Sequence, residues 1–453
     1  MSSAIHNARP IMNWKGFTMP SILVKNVSFL AAAKSPAPTG HVAVRDGLIS
    51  YVGHDLTAAE QAAGPGAARI DAGGFLLVPG CIDMHVHLRE PGNKAQETIA
   101  SGAMAAVAGG FTSIVAMPNT EPAIDSESAI IFTRREARRA GLANVFPAGS
   151  VTAGRQGKEL AEMAQMARGG AVAYSDDGKA VPTAGLLRRA MAYAKMLDKP
   201  ILEHCEDPSL ADGVMDEGYM STALGLRGIP DECEEVIVAR DVAIARLTGG
   251  HIHIQHVSTA NSVELIRRAK AAGIRVTAEV TPHHLVLTSD YVKDYDPVYK
   301  VSPPLRTMVD VEACRCGLKD GTIDAVASDH APHLAGEKEL EFASAPSGMI
   351  GLETTIGVLS TILVHGGHFT WAELVPALTS HPSDILKLGR GRLMPNLPGD
   401  LTLIDPEREW TVDPESFHSR SRNCPFRGWK LQGRAILTVV GGRVLFDLDG
   451  REQ

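Results

Sequence analysis

Short apolar runs with alternating or β-branched residues, punctuated by turn formers, open the chain from about Ser21 to Leu77, as in SILVKNVSFL, HVAVRDGLISYVG and GGFLLVPG. The same texture returns from about Asp400 in DLTLIDP and AILTVVGGRVLFD. Alternation bounded by Gly, Asn and Asp reads as strands and turns, so the two ends of the chain predict one small β-domain between them.

The middle has a different period. TSIVAM, AVAYS, KPILEH, HIHIQHVS, RVTAEV and DAVASDH are short strand-like runs, and Ala-rich helical stretches such as SVELIRRAKAAG and LLRRAMAYAKMLDK lie between them. Strand–helix alternation repeated about eight times over roughly 300 residues predicts an α/β architecture, a (β/α)8 TIM barrel. In that fold the chemistry gathers at the C-terminal ends of the strands, which is where the polar residues of interest fall in these runs.

Composition narrows the function classes. The chain has 453 residues, 44% hydrophobic and 21% charged, with a formal net charge of −8. That balance suits a soluble enzyme with a sizeable core and offers no basic excess for nucleic acid or an anionic membrane. The N-terminal MSSAIHNARPIMNWKGFTMP lacks an apolar signal core, and no apolar run approaches the ~20 residues of a membrane helix. Six cysteines without a CxxC pair read as reduced thiols rather than a disulfide framework. A cytoplasmic protein is expected, with residues 1–18 as an extension and Met19 as an alternative start.

The candidate chemistry begins at His85 and His87 in GCIDMHVHLREPG. Residues i and i+2 of a strand share a face, so both imidazoles can reach one ion, although such a pair by itself is weak evidence. Similar run ends supply Asp177 in YSDDG, His204 in PILEHCED, His256 in HIHIQHVST and Asp329 in VASDHAPH. Each has an ordinary explanation alone, as turn former, core histidine or helix cap. Together, four imidazoles and two carboxylates without thiolate suit two borderline ions such as Zn²⁺, with one carboxylate shared. Two ions can acidify a bridging water and polarise a carbonyl, while a carboxylate beside that hydroxide moves a proton to the leaving nitrogen. Asp329 is the expected acid/base, and metal-assisted amide hydrolysis the expected reaction class. His251, His253, His283 and His284 read as shell or core histidines, and Gly109-Gly110 and Gly169-Gly170 as helix-end turns.

The ordered strings DMHVHLREPG, GGFTSIVAMPNTEP, SDDGK, EHCED, VTAEVTPHHL, SPPLR and SDHAPH resemble the type I dihydroorotases of the amidohydrolase superfamily, over about Pro79 to Gly351. The resemblance implies a barrel flanked by a β-sandwich: an extension at 1–18, sandwich parts at 19–77 and 385–453, and the metal-dependent barrel at 78–384. It implies zinc-dependent interconversion of N-carbamoyl-L-aspartate and L-dihydroorotate in pyrimidine biosynthesis. His85 and His87 would hold one zinc, His204 and His256 the other, with Asp329 a ligand of the first and Asp177 bridging both together with a hydroxide. Asp176 and, more remotely, Lys179 are alternatives for the bridge.

For the small-molecule substrate, the family pattern points to His87, Arg89, Asn119, Ser302, His333, Ser347 and Gly348. A guanidinium can grip a substrate carboxylate bidentately, which makes physical sense of Arg89. Two strings depart from the pattern: Ser302 stands in KVSPPLR where Asn is usual, and Ser347 stands in PSG where Phe is common. Serine at the first position also occurs in hydantoinase-like relatives, so a hydantoinase, dihydropyrimidinase or allantoinase is the alternative reading. A metal-free assembly subunit of aspartate carbamoyltransferase is a further alternative, set against the retention of all six candidate ligands. A homodimer or higher homo-oligomer is expected, with aspartate carbamoyltransferase as a candidate partner.

Overall fold

The alternation at the chain's two ends resolves into two sheets facing one core. In a computed structural model, residues 20–30 and 39–451 are described; the proposed extension and Met19 lie outside them. Strands β1 (Ile22–Val27), β2 (Gly40–Arg45), β3 (Leu48–Gly53) and β4 (Ala68–Asp71) form one sheet in the order β3-β2-β1-β4, with helix α1 (Leu56–Ala63) between β3 and β4. Alternate side chains of β1 and β2 divide between two environments. Ile22, Val24, Val42 and Val44 join a buried cluster with Leu77, Leu401, Leu403, Leu437 and Val439, whereas Leu23 and Ala43 pack on Ala59 and Ala63 of α1.

β5 (Leu76–Pro79) belongs to the second sheet and leads directly into the central strands. These are β6 (Cys81–Val86), β7 (Phe111–Ala116) and β8 (Asn144–Pro147), then β9 (Ile201–Glu203), a short pair β10 (Met215–Asp216) and β11 (Gly228–Ile229), and β12 (Ile252–Ile254), β13 (Val276–Val280) and β14 (Ala325–Val326). β6-β7-β8 and β9-β12-β13-β14 are parallel runs. Tyr174 bridges Gly149 on one side and Ile201 on the other, and Val86 bridges His330. Every residue of β6 and β7 is buried, as expected of parallel strands covered on both faces.

The intervening helices start and stop where the sequence provides caps. Thr98, Ser126, Thr183 and Thr259 each accept a backbone N–H at a helix start, and Gly141 and Gly249 end helices in the left-handed region. Two expected strands are shorter than their apolar runs suggested. AVAYS is reduced to the Tyr174 bridges, and DAVASDH to β14, because both runs turn into polar segments ending at Asp177 and Asp329.

β15 (Leu401–Thr411), β16 (Lys430–Val440) and β17 (Arg443–Asp447) complete the second sheet in the order β17-β16-β15-β5. Hydroxyls tie it to the helix Ile99–Ala108 and the turn into β7: Thr402 donates to the Gly110 carbonyl at 2.7 Å and Thr438 to that of Val107 at 2.7 Å. Buried Asp400 accepts from Arg390 at 2.8 Å and from the Gly441 amide at 2.8 Å. Leu403, fully buried between the two terminal sheets, tests their shared core. Leu403→Ala is expected to cost about 2–5 kcal/mol, seen as a lower urea midpoint at unchanged slope.

Candidate active site

Six residues anticipated as ligands converge at one end of the parallel strands. His85 lies in β6 and His87 one residue beyond it; His204 follows β9, His256 follows β12, and Asp329 follows β14. Asp177 follows the Tyr174 bridge. Asp177 sits at the middle: its Oδ1 is 3.2 Å from His85 Nε2 and 3.8 Å from His204 Nδ1, and its Oδ2 is 3.5 Å from His87 Nε2. Asp329 Oδ1 lies 2.9 Å from His87 Nε2 and 3.4 Å from His85 Nε2, while His204 Nδ1 and His256 Nε2 are 2.9 Å apart. Two ligand-like triads, His85–His87–Asp177 and Asp177–His204–His256, therefore share the Asp177 carboxylate.

The alternatives for the shared position point elsewhere. Asp176 is turned into the neighbouring loop, accepting the Val151 and Thr152 amides at 3.0 Å each and the Thr152 hydroxyl. Lys179 is exposed.

In three of the four cluster histidines the outer nitrogen is held by an acceptor. His85 Nδ1 is 2.6 Å from Glu279 Oε1, His87 Nδ1 is 2.8 Å from Asn119 Oδ1, and His204 Nε2 is 2.8 Å from Glu206 Oε2. Each contact favours the proton on the outer nitrogen and leaves the inner lone pair facing the cluster. Glu279 and Glu206 were not anticipated; Glu279 had no spacing signal, whereas the position of Glu206 two residues after His204 was one that could have found it.

Burial and neighbouring charge shift these groups in different directions. Burial works against ionisation of Asp177, but His85, His87 and His204 hold it well below the carboxylate range. Burial also works against a charged His85, yet Asp329, Asp177 and Glu279 pull its pKa well above normal, so its inner nitrogen holds a proton that a bound cation would displace. Burial, with His204 and His85 nearby, drives His256 well below its usual value and keeps it neutral.

A cavity of about 260 Å³ opens over the cluster, and every anticipated substrate-contact residue lines it. Arg89 donates through Nε to the Pro332 carbonyl at 3.2 Å. Asn119 is engaged with the cluster itself, through His87 and, at 3.3 Å, Asp177 Oδ2. Ser302 donates to Glu206 at 3.0 Å. Burial, with Arg89 and Lys338 close by, lowers the His333 pKa to about 4, so the ring is neutral at physiological pH. Its Nε2 is 2.9 Å from the Ser347 carbonyl, which claims the N–H of that tautomer. Gly348 has φ +135°, and a Cβ there would stand 2.8 Å from His333 Nε2, so the wall depends on glycine.

Asn423 had no signal in the sequence, since it lies in a connection between strands of the C-terminal sheet. It is buried, donates through Nδ2 to the Ala331 carbonyl at 3.0 Å and the Gly348 carbonyl at 3.1 Å, and accepts the His333 amide at 3.3 Å. One amide side chain thus joins two walls of the cavity.

Among solved structures the chain is similar to the L-hydantoinase (dihydropyrimidinase) of Arthrobacter aurescens, with TM-score 0.83 and 25% identity over 94% of this chain and 96% of that one. The dihydropyrimidinase of Brevibacillus agri has the same fold, with TM-score 0.80 and 24% identity over 94% and 95%. This fold, with a histidine–aspartate cluster at its strand ends, defines a cyclic amidohydrolase. The family model for dihydro-orotase-like proteins matches residues 74–262. The dihydroorotase of Pelotomaculum thermopropionicum is 50% identical over 94% of this chain and 98% of its own length, and that of Syntrophotalea carbinolica 47% over 94% and 99%. The chain belongs to the dihydroorotase family.

Removing the Asn423 amide frees two carbonyls and one amide in the cavity wall. Asn423→Ala is expected to lower stability by about 1–3 kcal/mol and to speed proteolytic nicking between Leu334 and Ser347. An unchanged nicking rate would count against Asn423 joining the two walls.

Proposed function

We propose that this chain interconverts N-carbamoyl-L-aspartate and L-dihydroorotate at the cluster around Asp177. The observation that carries the reading is the meeting of two metal-ligand triads with Arg89 in one cavity. The parallel strands are read as a closed (β/α)8 barrel over 78–384, supported by the Val86–His330 bridge between its first and last strands. Residues 19–77 and 385–453 are read as the flanking β-sandwich, supported by their common core.

The donor set fits divalent metal, and zinc in particular. His85 Nε2 is a buried nitrogen with no hydrogen bond, facing carboxylate oxygens. His204 Nδ1 and His256 Nε2 direct lone pairs toward the same space, and no thiolate contributes. In this reading His85, His87 and Asp329 hold one ion, His204 and His256 the other, and Asp177 both. Two ions would bring the pKa of a shared water toward neutral and polarise the scissile carbonyl.

The chain's own groups supply the remainder. Asp329 takes the proton of the attacking water and delivers it to the departing amide nitrogen; in ring closure it runs in reverse. Arg89 binds the substrate carboxylate by charge-assisted hydrogen bonds, and Glu206 disfavours that anion on its side of the cavity. Asn119 and Glu206 hold the rings of His87 and His204 in the ligating orientation. Gly348 lets the backbone approach the substrate. The Ser302 hydroxyl, donated to Glu206, contributes shape and polarity to the wall.

Asp329→Ala is expected to reduce turnover of dihydroorotate by at least about 10²–10⁴-fold, the range for a lost acid/base; near-normal turnover would remove it from that role. Arg89→Met should weaken dihydroorotate binding about 10- to 100-fold, roughly the 1.5–3 kcal/mol of a charged hydrogen bond. An equal loss on uncharged dihydrouracil would rule out the carboxylate clamp. In a panel with dihydrouracil, hydantoin and allantoin, dihydroorotate should have the highest kcat/KM. The reverse order would transfer the substrate assignment to uncharged rings and leave the metal chemistry standing.

A further inference from the structure

A line of polar side chains runs away from the metal cluster through the interior of the strands, and no step of the reaction uses it. Glu279 Oε1 is 2.6 Å from His85 Nδ1, and its Oε2 is 3.2 Å from His253 Nε2. His253 Nδ1 is 2.9 Å from Thr277 Oγ, which lies 2.9 Å from His251 Nε2. His85, His253 and Glu279 are fully buried. Two neighbouring parallel strands produce the line by alternation. His253 pairs with Thr277 in register, and Ile252, Ile254, Val276, Ala278 and Val280 belong to the apolar core while the polar residues between them face inward.

Hydrogen-bond bookkeeping gives the line one direction. The Glu279 carboxylate is an acceptor set between two ring nitrogens, one oxygen facing each. It therefore receives an N–H from both rings, Nδ1–H of His85 and Nε2–H of His253. His253 Nδ1 is left to accept the Thr277 hydroxyl, whose oxygen accepts Nε2–H of His251. Each donor meets one acceptor. The Gln255 amide nitrogen, 3.1 Å from His85 Nδ1, is a competing neighbour, but the 2.6 Å carboxylate contact is the stronger claim on that proton. The line ends at His85 Nε2, the buried nitrogen that makes no hydrogen bond and that a bound cation would engage.

We propose that Glu279 and His253 are positioning residues that fix the His85 ring with Nε2 facing the metal, and that Thr277 and His251 carry this control to the far end of the strands. The proposal rests on His85 being a ligand. A carboxylate bonded to the outer nitrogen makes the inner nitrogen a stronger donor, and losing such a partner typically costs about 10- to 100-fold in metal affinity.

The test is zinc affinity of the full-length apoprotein, read by competition with a chromophoric chelator, with bound zinc counted at saturation. Glu279→Gln should weaken one of the two ions by about 10- to 100-fold. His253→Leu should weaken the same ion by about 10-fold, while His253→Gln, which keeps an N–H near the Nε2 position, should recover affinity to within about twofold. Wild-type affinity in Glu279→Gln would overturn the proposal, as would His253→Gln binding as weakly as His253→Leu. If Glu279→Gln does not fold, the His253 pair decides. His85→Ala separates the two readings. Loss of one ion there with unchanged Glu279→Gln leaves the ligand assignment standing and removes the positioning role. Retention of both ions in His85→Ala would overturn the ligand assignment and the proposal with it.

Discussion

Charge removed from water has to be matched locally, and the space around Asp177 is organised by that requirement. Asp177 and Glu279 are fully buried and Asp329 nearly so, each within reach of a histidine of the cluster. Unpaired, such anions would be costly in a medium of low dielectric. The imidazoles reduce the cost, and residual negative charge of this kind favours a cation in the space between them. Arg89 is near enough to feel Asp329 and Asp177 while presenting its charge to the cavity. Negative charge below and positive charge above thus arise from one arrangement.

Backbone geometry at the strand ends delivers these groups. Arg89, His256 and Asp329 all adopt positive φ, at 56°, 32° and 46°. Residues with a Cβ rarely stay there unless the surroundings enforce it. Each lies just past a parallel strand whose hydrogen bonds are fixed by its neighbours, so the sheet holds the turn and the turn aims the side chain. Asp83 contributes from within β6, accepting the Ser328 amide at 3.1 Å and the His85 amide at 3.1 Å, which ties the β6 strand to the segment leading into Asp329.

Much of this was legible in the sequence for identifiable reasons. Period-two runs at the ends and strand–helix alternation in the middle report burial, so the sheets, their parallel core and the strand-end location of His85, His87, Asp177, His204, His256 and Asp329 could be read. Choosing Asp177 over Asp176 could not come from pattern alone, because adjacent aspartates differ only in which way the loop turns them. Glu279 contacts His85, far away in sequence, and a single glutamate in an apolar strand looks like any other; Glu206 stands two residues after His204, and only the folded loop shows that the two side chains meet. His253 read as a core histidine and is one by burial, but its link to Glu279 depends on strand register. Asn423 was invisible because its contacts are to backbone atoms of loops brought near only by the folded chain.

The Asn423 contact also has a temporal meaning. A ribosome releases every residue of the histidine–aspartate cluster before it reaches position 423, and β5 must wait for β15 to find its neighbour in the second sheet. The cluster can therefore assemble on a nascent chain whose cavity still lacks the amide that joins its walls. Inner coordination is open to early assembly, whereas recognition matures late, after the C-terminal segment has crossed back over the mouth of the strands.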